Sequence, residues 1–245
     1  MKKTLIKFLQ QQGIMVKRYS PQNSDEALLA FQLNRLNIDL VLDIGGNSGQ
    51  FATHLRKMGY RGKIISCEPL SKVFAQLKAN AQADPLWEVH HVAIGREPGE
   101  STINISENTY SSSLLGMHTT HQSAAETSRY IDQETIKVVP LREVLPPELR
   151  QKHRSVFLKV DVQGFEREVI EGALQELPDI TLVELELSMV PLYENGPLYQ
   201  ELINRMDELN FSLFNMASEF RDPKDYRILQ MNGLFLNRSK DPSAP

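Results

Sequence analysis

The sequence predicts an α/β fold with a doubly wound, mostly parallel sheet, and two observations carry that prediction. Leu40–Ile44 is a short apolar run that breaks into Gly45-Gly46-Asn47-Ser48-Gly49 and then into a helical pattern over residues 49–58. The same succession returns where Val156–Val160 ends in Asp161-Val162-Gln163-Gly164 and leads into a helix through Ala173. Strands alternating with helices give parallel β-α-β units, and in a doubly wound sheet these two strands lie side by side, where ligands bind.

From the N-terminus, Leu5, Ile6, Phe8 and Leu9 recur at near-helical spacing with lysines between them, as in a short amphipathic helix. Residues 1–23 are read as an amphipathic extension, and 24–245 as a single domain. The helix is expected to pack on the domain or on a partner subunit, which would make a homo-oligomer contact; membrane-surface attachment is the alternative. After the break at Pro21-Gln22-Asn23, Ser24 caps a helix through Asn37 whose apolar face holds Leu28, Leu29, Phe31, Leu33 and Leu36.

Lys63–Cys67 is the next strand, followed by a helix over residues 71–83 with Val73, Phe74 and Leu77 toward the sheet. Residues 87–94 make a third strand. Beyond the turn at 95–100, residues 101–105 alternate as a strand and read as an antiparallel hairpin on the sheet edge. Residues 106–134 are polar and aperiodic, longer than ordinary connections, so this stretch is a lid or acceptor-binding flap, or else a solvated loop. Order returns at 135–139, with a short helix in 140–149 and a charged connection at 150–154. Past the second glycine turn, residues 180–187 form a strand with Glu184 and Glu186 on one face. A helix over 198–209 then leads to strands at 211–215 and 230–236, a closing hairpin.

Composition sets the outer limits. At 245 residues, 41% hydrophobic and 24% charged, the chain can bury a full core. A formal charge of -4 excludes a large basic nucleic-acid footprint. No apolar run approaches a membrane span, and Lys7 and Gln10 interrupt the N-terminal segment, which makes it a poor signal peptide. Cys67 is the one cysteine, so neither a disulfide nor a thiolate metal site is available within the chain, which fits a reducing, cytoplasmic setting. His90 and His91 lack spaced companions, and no metal is expected.

The ligand is read from the carboxylates. A dinucleotide fingerprint is G-x-G-x-x-G, with its pyrophosphate on the helix N-terminus. Here the spacing is D-x-G-x-N-x-G, and Asp43 would set an anion where a pyrophosphate comes close. S-adenosyl-L-methionine has no phosphate and carries a sulfonium and an ammonium that a carboxylate attracts. Glycines at 45, 46 and 49 let backbone lie against such a ligand, and Asn47 is the non-glycine residue that best tolerates the left-handed region. Glu68-Pro69 ends the second strand roughly 20 residues beyond the turn, where such folds hold a ribose by its hydroxyls; a solvated loop acid is the alternative there. Val92-Ala93-Ile94 is small and apolar, suited to one face of an adenine.

Together, residues 43–51, Glu68-Pro69, Val92-Ala93-Ile94-Gly95, Ser111-Ser112-Ser113-Leu114 and Leu158-Lys159-Val160-Asp161-Val162-Gln163-Gly164-Phe165-Glu166 closely resemble the FkbM-type methyltransferases. The resemblance covers roughly residues 24–238, with the motifs in the family's order. It implies a class I, Rossmann-like, S-adenosylmethionine-dependent methyltransferase with a seven-stranded sheet, an antiparallel last strand and helices on both faces. It also implies transfer to a hydroxyl oxygen on a sugar, glycan or natural product. Gln163 stands where the family often has an acid, so a second carboxylate beside Asp161 is not given.

On this reading the cofactor is held by Asp43, Gly45, Gly46, Asn47, Gly49, Phe51, Glu68, Pro69, Val92, Ala93 and Asp161. A hydroxyl is a poor nucleophile, so a base or cation near it is expected. Asp161 is the first candidate, with a cofactor anchor or helix cap as its other reading; Lys159 could pair with an acid, and Glu186, His118 and His121 follow. The 106–134 stretch offers Ser112, Ser113, His118 and His121 to an acceptor. Two other classes stay open: a nicotinamide oxidoreductase on a related sheet, and a catalytically silent binding module.

Overall fold

A computed structural model of the chain describes residues 2–242. Helices α1 (Lys2–Gln11) and α2 (Asp25–Arg35) precede the first strand, β1 (Leu40–Ile44). Then come α3 (Gln50–Lys57), β2 (Lys63–Cys67), α4 (Ser71–Ala81), β3 (Trp87–His90), β4 (Ala93–Ile94) and β5 (Gly99–Ser106). The middle of the chain holds α5 (Thr119–Ala124), β6 (Tyr130–Val139), α6 (Pro147–Lys152), β7 (Val156–Val160) and α7 (Glu166–Gly172). Strand β8 (Ile180–Ser188), α8 (Tyr199–Glu208), β9 (Phe211–Arg221) and β10 (Ile228–Asn237) complete it.

Seven strands form one sheet in the order β3-β2-β1-β7-β8-β10-β9. β1 pairs parallel with β7 in the register Asp43↔Lys159, so the two glycine turns do stand side by side. Only β10, the last strand, runs antiparallel to its neighbours. The seven strands and the reversed last strand are those the resemblance implied. Helices cover both faces: Leu42, Ile44, Leu158 and Val160 pack with Val169, Ile170, Leu202 and Met206 of α7 and α8. Val41, Phe157 and Leu182 pack on the other side with Leu29 and Leu33 of α2 and Leu55 of α3. Burial on both faces explains why β1 and β7 read as unbroken apolar runs.

Several boundaries differ from expectation, each for a local reason. The third strand splits: β3 stays in the large sheet, whereas β4 crosses to a second sheet of order β4-β6-β5. His91 stacks on Phe74 and meets the Pro69 carbonyl at 2.9 Å, which turns the chain between the two pieces. The expected edge hairpin is therefore a separate three-stranded sheet. Its ribbon reaches back to Tyr130, and because Ile131, Asp132 and Gln133 face solvent, no apolar alternation marks it. Within the long polar stretch α5 is ordered, and the short pairings Asn104↔Ser113 and Met117↔Tyr193 tie it down. Arg150 to Lys152 belong to α6 and not to a connection.

The N-terminal helix forms but leaves its apolar residues uncovered, with Leu5 59% and Phe8 58% exposed. Packing on the chain's own domain, the first alternative for it, is not what the structure has. Ser24 caps α2 as expected, its hydroxyl accepting from Ala27 N at 3.3 Å. No helix among the described residues is long and apolar enough to cross a membrane.

Candidate active site

At the C-terminal ends of β1, β2, β7 and β8 the sheet opens into a cleft of ≈ 380 Å³. The switch point lies between β1 and β7, whose chains leave the sheet in opposite directions around it. Gly45 is there for close approach: its φ is 83°, and a Cβ would lie 1.8 Å from the Asp161 carbonyl oxygen. Asn47 adopts the left-handed conformation the sequence suggests, with φ 46°.

The turn's own hydrogen bonds decide which ligand it suits. Gly45 N and Gly46 N both donate to the Cys67 carbonyl, and Gly49 N donates to Gly46 O. Asn47 N donates to Glu68 Oε2 at 3.0 Å, and Ser48 N to Asn47 Oδ1 at 2.8 Å. All five N–H groups from Gly45 to Gly49 are thus committed inside the protein, leaving none to cradle a pyrophosphate. Four carboxylates, from Glu68, Asp161, Glu186 and Glu219, line the cleft, with no Lys or Arg among its described lining residues. An acid-lined cleft with no cation in its described wall suits a ligand that brings positive charge, as a sulfonium amino acid does, and opposes a dinucleotide.

Gly45, Asn47, Glu68, Pro69, Val92, Ala93 and Asp161 all line the cleft, as do Ser112, His121 and Glu186. Glu68 is braced by Leu70 N at 2.9 Å as well as by Asn47 N, which aims the carboxylate and still leaves both oxygens lone pairs for hydroxyls. Burial pushes its pKa up to about 7.

Other residues that the sequence assigns to ligands stand behind this wall. Asp43 is fully buried; its Oδ2 accepts from Ser66 Oγ at 2.9 Å, and its Oδ1 has no hydrogen-bond partner. Burial raises its pKa, opposed by Lys159. Lys159 Nζ lies 3.8 Å from that orphan oxygen, 3.0 Å from Asp161 Oδ2, and 5.2 Å above the Phe51 ring. Phe51 in turn meets Phe157 edge-on. Asp43, Lys159 and Phe51 therefore form a buried cationic brace under the turn, without touching the cleft. Gly46 sits against Ser66 and Asp43, and a Cβ on Gly49 would come 2.6 Å from the Trp87 ring, so both serve packing. Ser113 Oγ donates to Gln163 O at 2.6 Å, fastening the loop to the second turn. His118 caps α5 through Nδ1 and stays outside the cleft.

The second carboxylate beside Asp161 comes from another strand. Gln163, at φ 55°, donates from one amide nitrogen to Asp161 Oδ1 at 2.9 Å and to Glu186 Oε2 at 2.8 Å. Its carbonyl oxygen accepts from Tyr193 Oη at 2.6 Å. Glu186 is pushed well above the carboxylate range by burial, reinforced by the charges of Asp161 and Glu166. Asp161 is instead ion-paired to the ammonium of Lys159. Its own pKa is set by burial, which lowers it, and by Asp161, Asp43 and Glu184, which together raise it. His121 is 3% exposed with Nδ1 unpartnered, and burial lowers its pKa to about 4, so it is a neutral imidazole near pH 7. No group of three or more metal-ligating side chains exists among the described residues.

Sequence reasoning missed Glu219, Phe220 and Gln230 as wall residues, and Tyr193 as the support behind Gln163. Glu219 and Phe220 looked like a polar turn because β9 is an edge strand with little to bury. The one available signal was the two-residue period of β8, which sets Glu184 and Glu186 opposite Leu234 and Asn232.

The family described as Methyltransferase FkbM domain matches residues 43–213. Among curated relatives, Methyltransferase 1 of Beauveria bassiana (strain ARSEF 2860) is 28% identical over 170 residues, 59% of this chain and 64% of that protein. The chain thus matches only part of that relative's length. Among solved structures, the magnesium protoporphyrin IX methyltransferase ChlM from Synechocystis PCC 6803 superposes with a TM-score of 0.48 at 10% identity, covering 89% of this chain and 79% of that one. The CcbJ methyltransferase from Streptomyces caelestis gives 0.46 at 11% identity, with 89% and 98% covered.

Proposed function

We propose that this chain, which belongs to the FkbM methyltransferase domain family, is an S-adenosylmethionine-dependent methyltransferase that methylates a hydroxyl oxygen of a sugar, glycan or natural-product acceptor. The observation that carries the reading is Asp161 in the cleft wall, ion-paired from behind by Lys159 and linked through Gln163 to Glu186. Bound S-adenosylmethionine supplies the electrophilic methyl group. Glu68 offers its oxygens to the ribose hydroxyls, while Val92 and Ala93 give the adenine an apolar face. Asp161 would accept the hydroxyl proton as the acceptor oxygen bonds to the methyl carbon and the carbon–sulfur bond breaks, its electron pair staying on sulfur as a neutral thioether. Glu186, whose pKa burial raises, completes the pair as the second carboxyl group, held to the first through Gln163. Gln163 keeps the two carboxyl groups apart and aimed the same way, so the alignment exists before the acceptor arrives.

The test is transfer of an isotope-labelled methyl group from the cofactor to cell-derived glycan, lipid and small-molecule fractions, followed by magnetic resonance of the product. A methyl ether is the expected product. Label on nitrogen, sulfur or carbon would overturn the reading.

A further inference from the structure

The cleft continues past Asp161 to the β9–β10 hairpin, where Glu219, Phe220 and Gln230 join Glu186 and His121 in its wall. We propose that this end is the acceptor subsite, and that it takes an uncharged polyhydroxyl ring, without phosphate, carboxylate or amine, whose neighbouring hydroxyls Glu219 and Gln230 hold. The inference rests on the methyl-transfer reading above and narrows its substrate class.

Gln230 is the first support. It is 3% exposed, lines the cleft, and its amide Nε2 has no hydrogen-bond partner among the described residues. Buried amide donors without a partner are rare in folded proteins, and one in a side chain that lines a cleft is satisfied once a ligand oxygen reaches it. Glu219 is the second. Asn232 Nδ2 donates to its Oε2 at 3.0 Å, which fixes the carboxylate at the exposed rim as a pure acceptor. Gln230 pairs across the hairpin with Phe220, the residue after Glu219, so a donor and an acceptor are set side by side. Adjacent hydroxyls match such a pair, because each can both give and accept a hydrogen bond.

Charge narrows the class further. A phosphate or carboxylate entering here would meet Asp161, Glu186 and Glu219 with no lysine or arginine among the described wall residues. Lys159 is committed to Asp161 and Asp43, and His121 is a neutral imidazole. His121 lies 5.4 Å from Phe220 and 5.2 Å from Tyr193, ring to ring, giving a weakly polar surface for the C–H face of a sugar. An amine acceptor would find acids, but would leave the Gln230 donor still without an oxygen.

The full chain is incubated with labelled S-adenosylmethionine and a water-soluble cell extract, and products are passed over anion and cation exchangers at neutral pH. Label flowing through both is expected. Methylated product retained on either exchanger, once the unreacted cationic cofactor is accounted for by a protein-free control, overturns the uncharged class. If calorimetry shows that S-adenosylmethionine binds yet no fraction takes label, the methyl-transfer reading itself fails. Glu219→Gln and Gln230→Leu are each expected to raise the apparent KM for the labelled fraction by ~10-fold with cofactor affinity unchanged. An unchanged KM overturns the subsite. Gln230→Leu should also melt no lower than the parent, since it removes an unpaired buried amide; a clear drop would make Gln230 a structural residue and overturn its role.

Discussion

Gln163 binds two carboxylates through one amide group, a geometry that no acid in its place could reproduce, because a carboxylic acid has a single proton to share. The clamp makes Asp161 and Glu186 act as a pair, with Asp161 next to the fixed cation and Glu186 the buried partner. Asp161→Asn keeps the shape and removes the charge. Turnover at saturating cofactor is expected to fall by about 10² or more, with a smaller loss of cofactor affinity. Intact turnover with weakened cofactor binding would make Asp161 an anchor only. Lys159 belongs to the fold as much as to the site. Lys159→Met leaves Asp43 buried without a counter-charge and should lower stability by about 3–5 kcal/mol in denaturant titration. A loss below about 1 kcal/mol would show that the brace is dispensable. Asp43 was legible in the sequence as an important acid, but its position was not: the two-residue period puts it on a sheet face, and only the packing of α2 and α3 decides that this face is closed.

At the scale of elements, the stretch after β5 is the one whose motion matters. Residues 108–112 line the cleft, whereas Ser113 is fastened to Gln163 and Asn104. Amide hydrogens of 108–112 are therefore expected to exchange quickly in the free protein and to slow when cofactor binds, with Ser113 and Leu115 slow throughout. Exchange across 108–112 that ignores cofactor would remove the lid role. What could be read from sequence follows the same divide between buried and open backbone. β1, β7 and β8 announce themselves because both faces are covered, and the glycine turns because Gly45 and Asn47 hold positive φ. The second half of β9 and the start of β6 do not, since an edge strand and a two-stranded ribbon bury too little for apolar alternation to appear. The α1 pattern was legible, but a helical period alone does not say what covers it.

Over the whole molecule, the buried acids set the dependence on pH. Glu68, Glu166 and Glu184 are each pushed up to about 7, chiefly by burial, and Glu186 well above its usual value. The folded protein thus binds more protons than the unfolded chain above pH 4.5, the ordinary value for these groups, and its stability falls as pH rises through about 7. His121, held down to about 4, works the other way but is one group against four. Melting temperature is expected to decline between mildly acidic and mildly basic buffer. The stabilisation given by S-adenosylmethionine should grow over the same window, because a bound cation favours the ionised acids. A melting temperature that climbs with pH would contradict both.

Cys67 is the chain's one thiol, 1% exposed, and it forms part of the cleft floor between Ile44 and Glu68. Burial raises its pKa, with the neighbouring charges of Asp43, Glu68 and Glu88 adding to the effect, so the covered thiol is unreactive. A thiol reagent therefore has one place to react and reaches it only when the floor parts, so each mass increment marks one molecule that has opened. The labelling rate becomes a clock for that event, and bound cofactor should slow the clock in proportion to occupancy, reporting affinity before any acceptor is known.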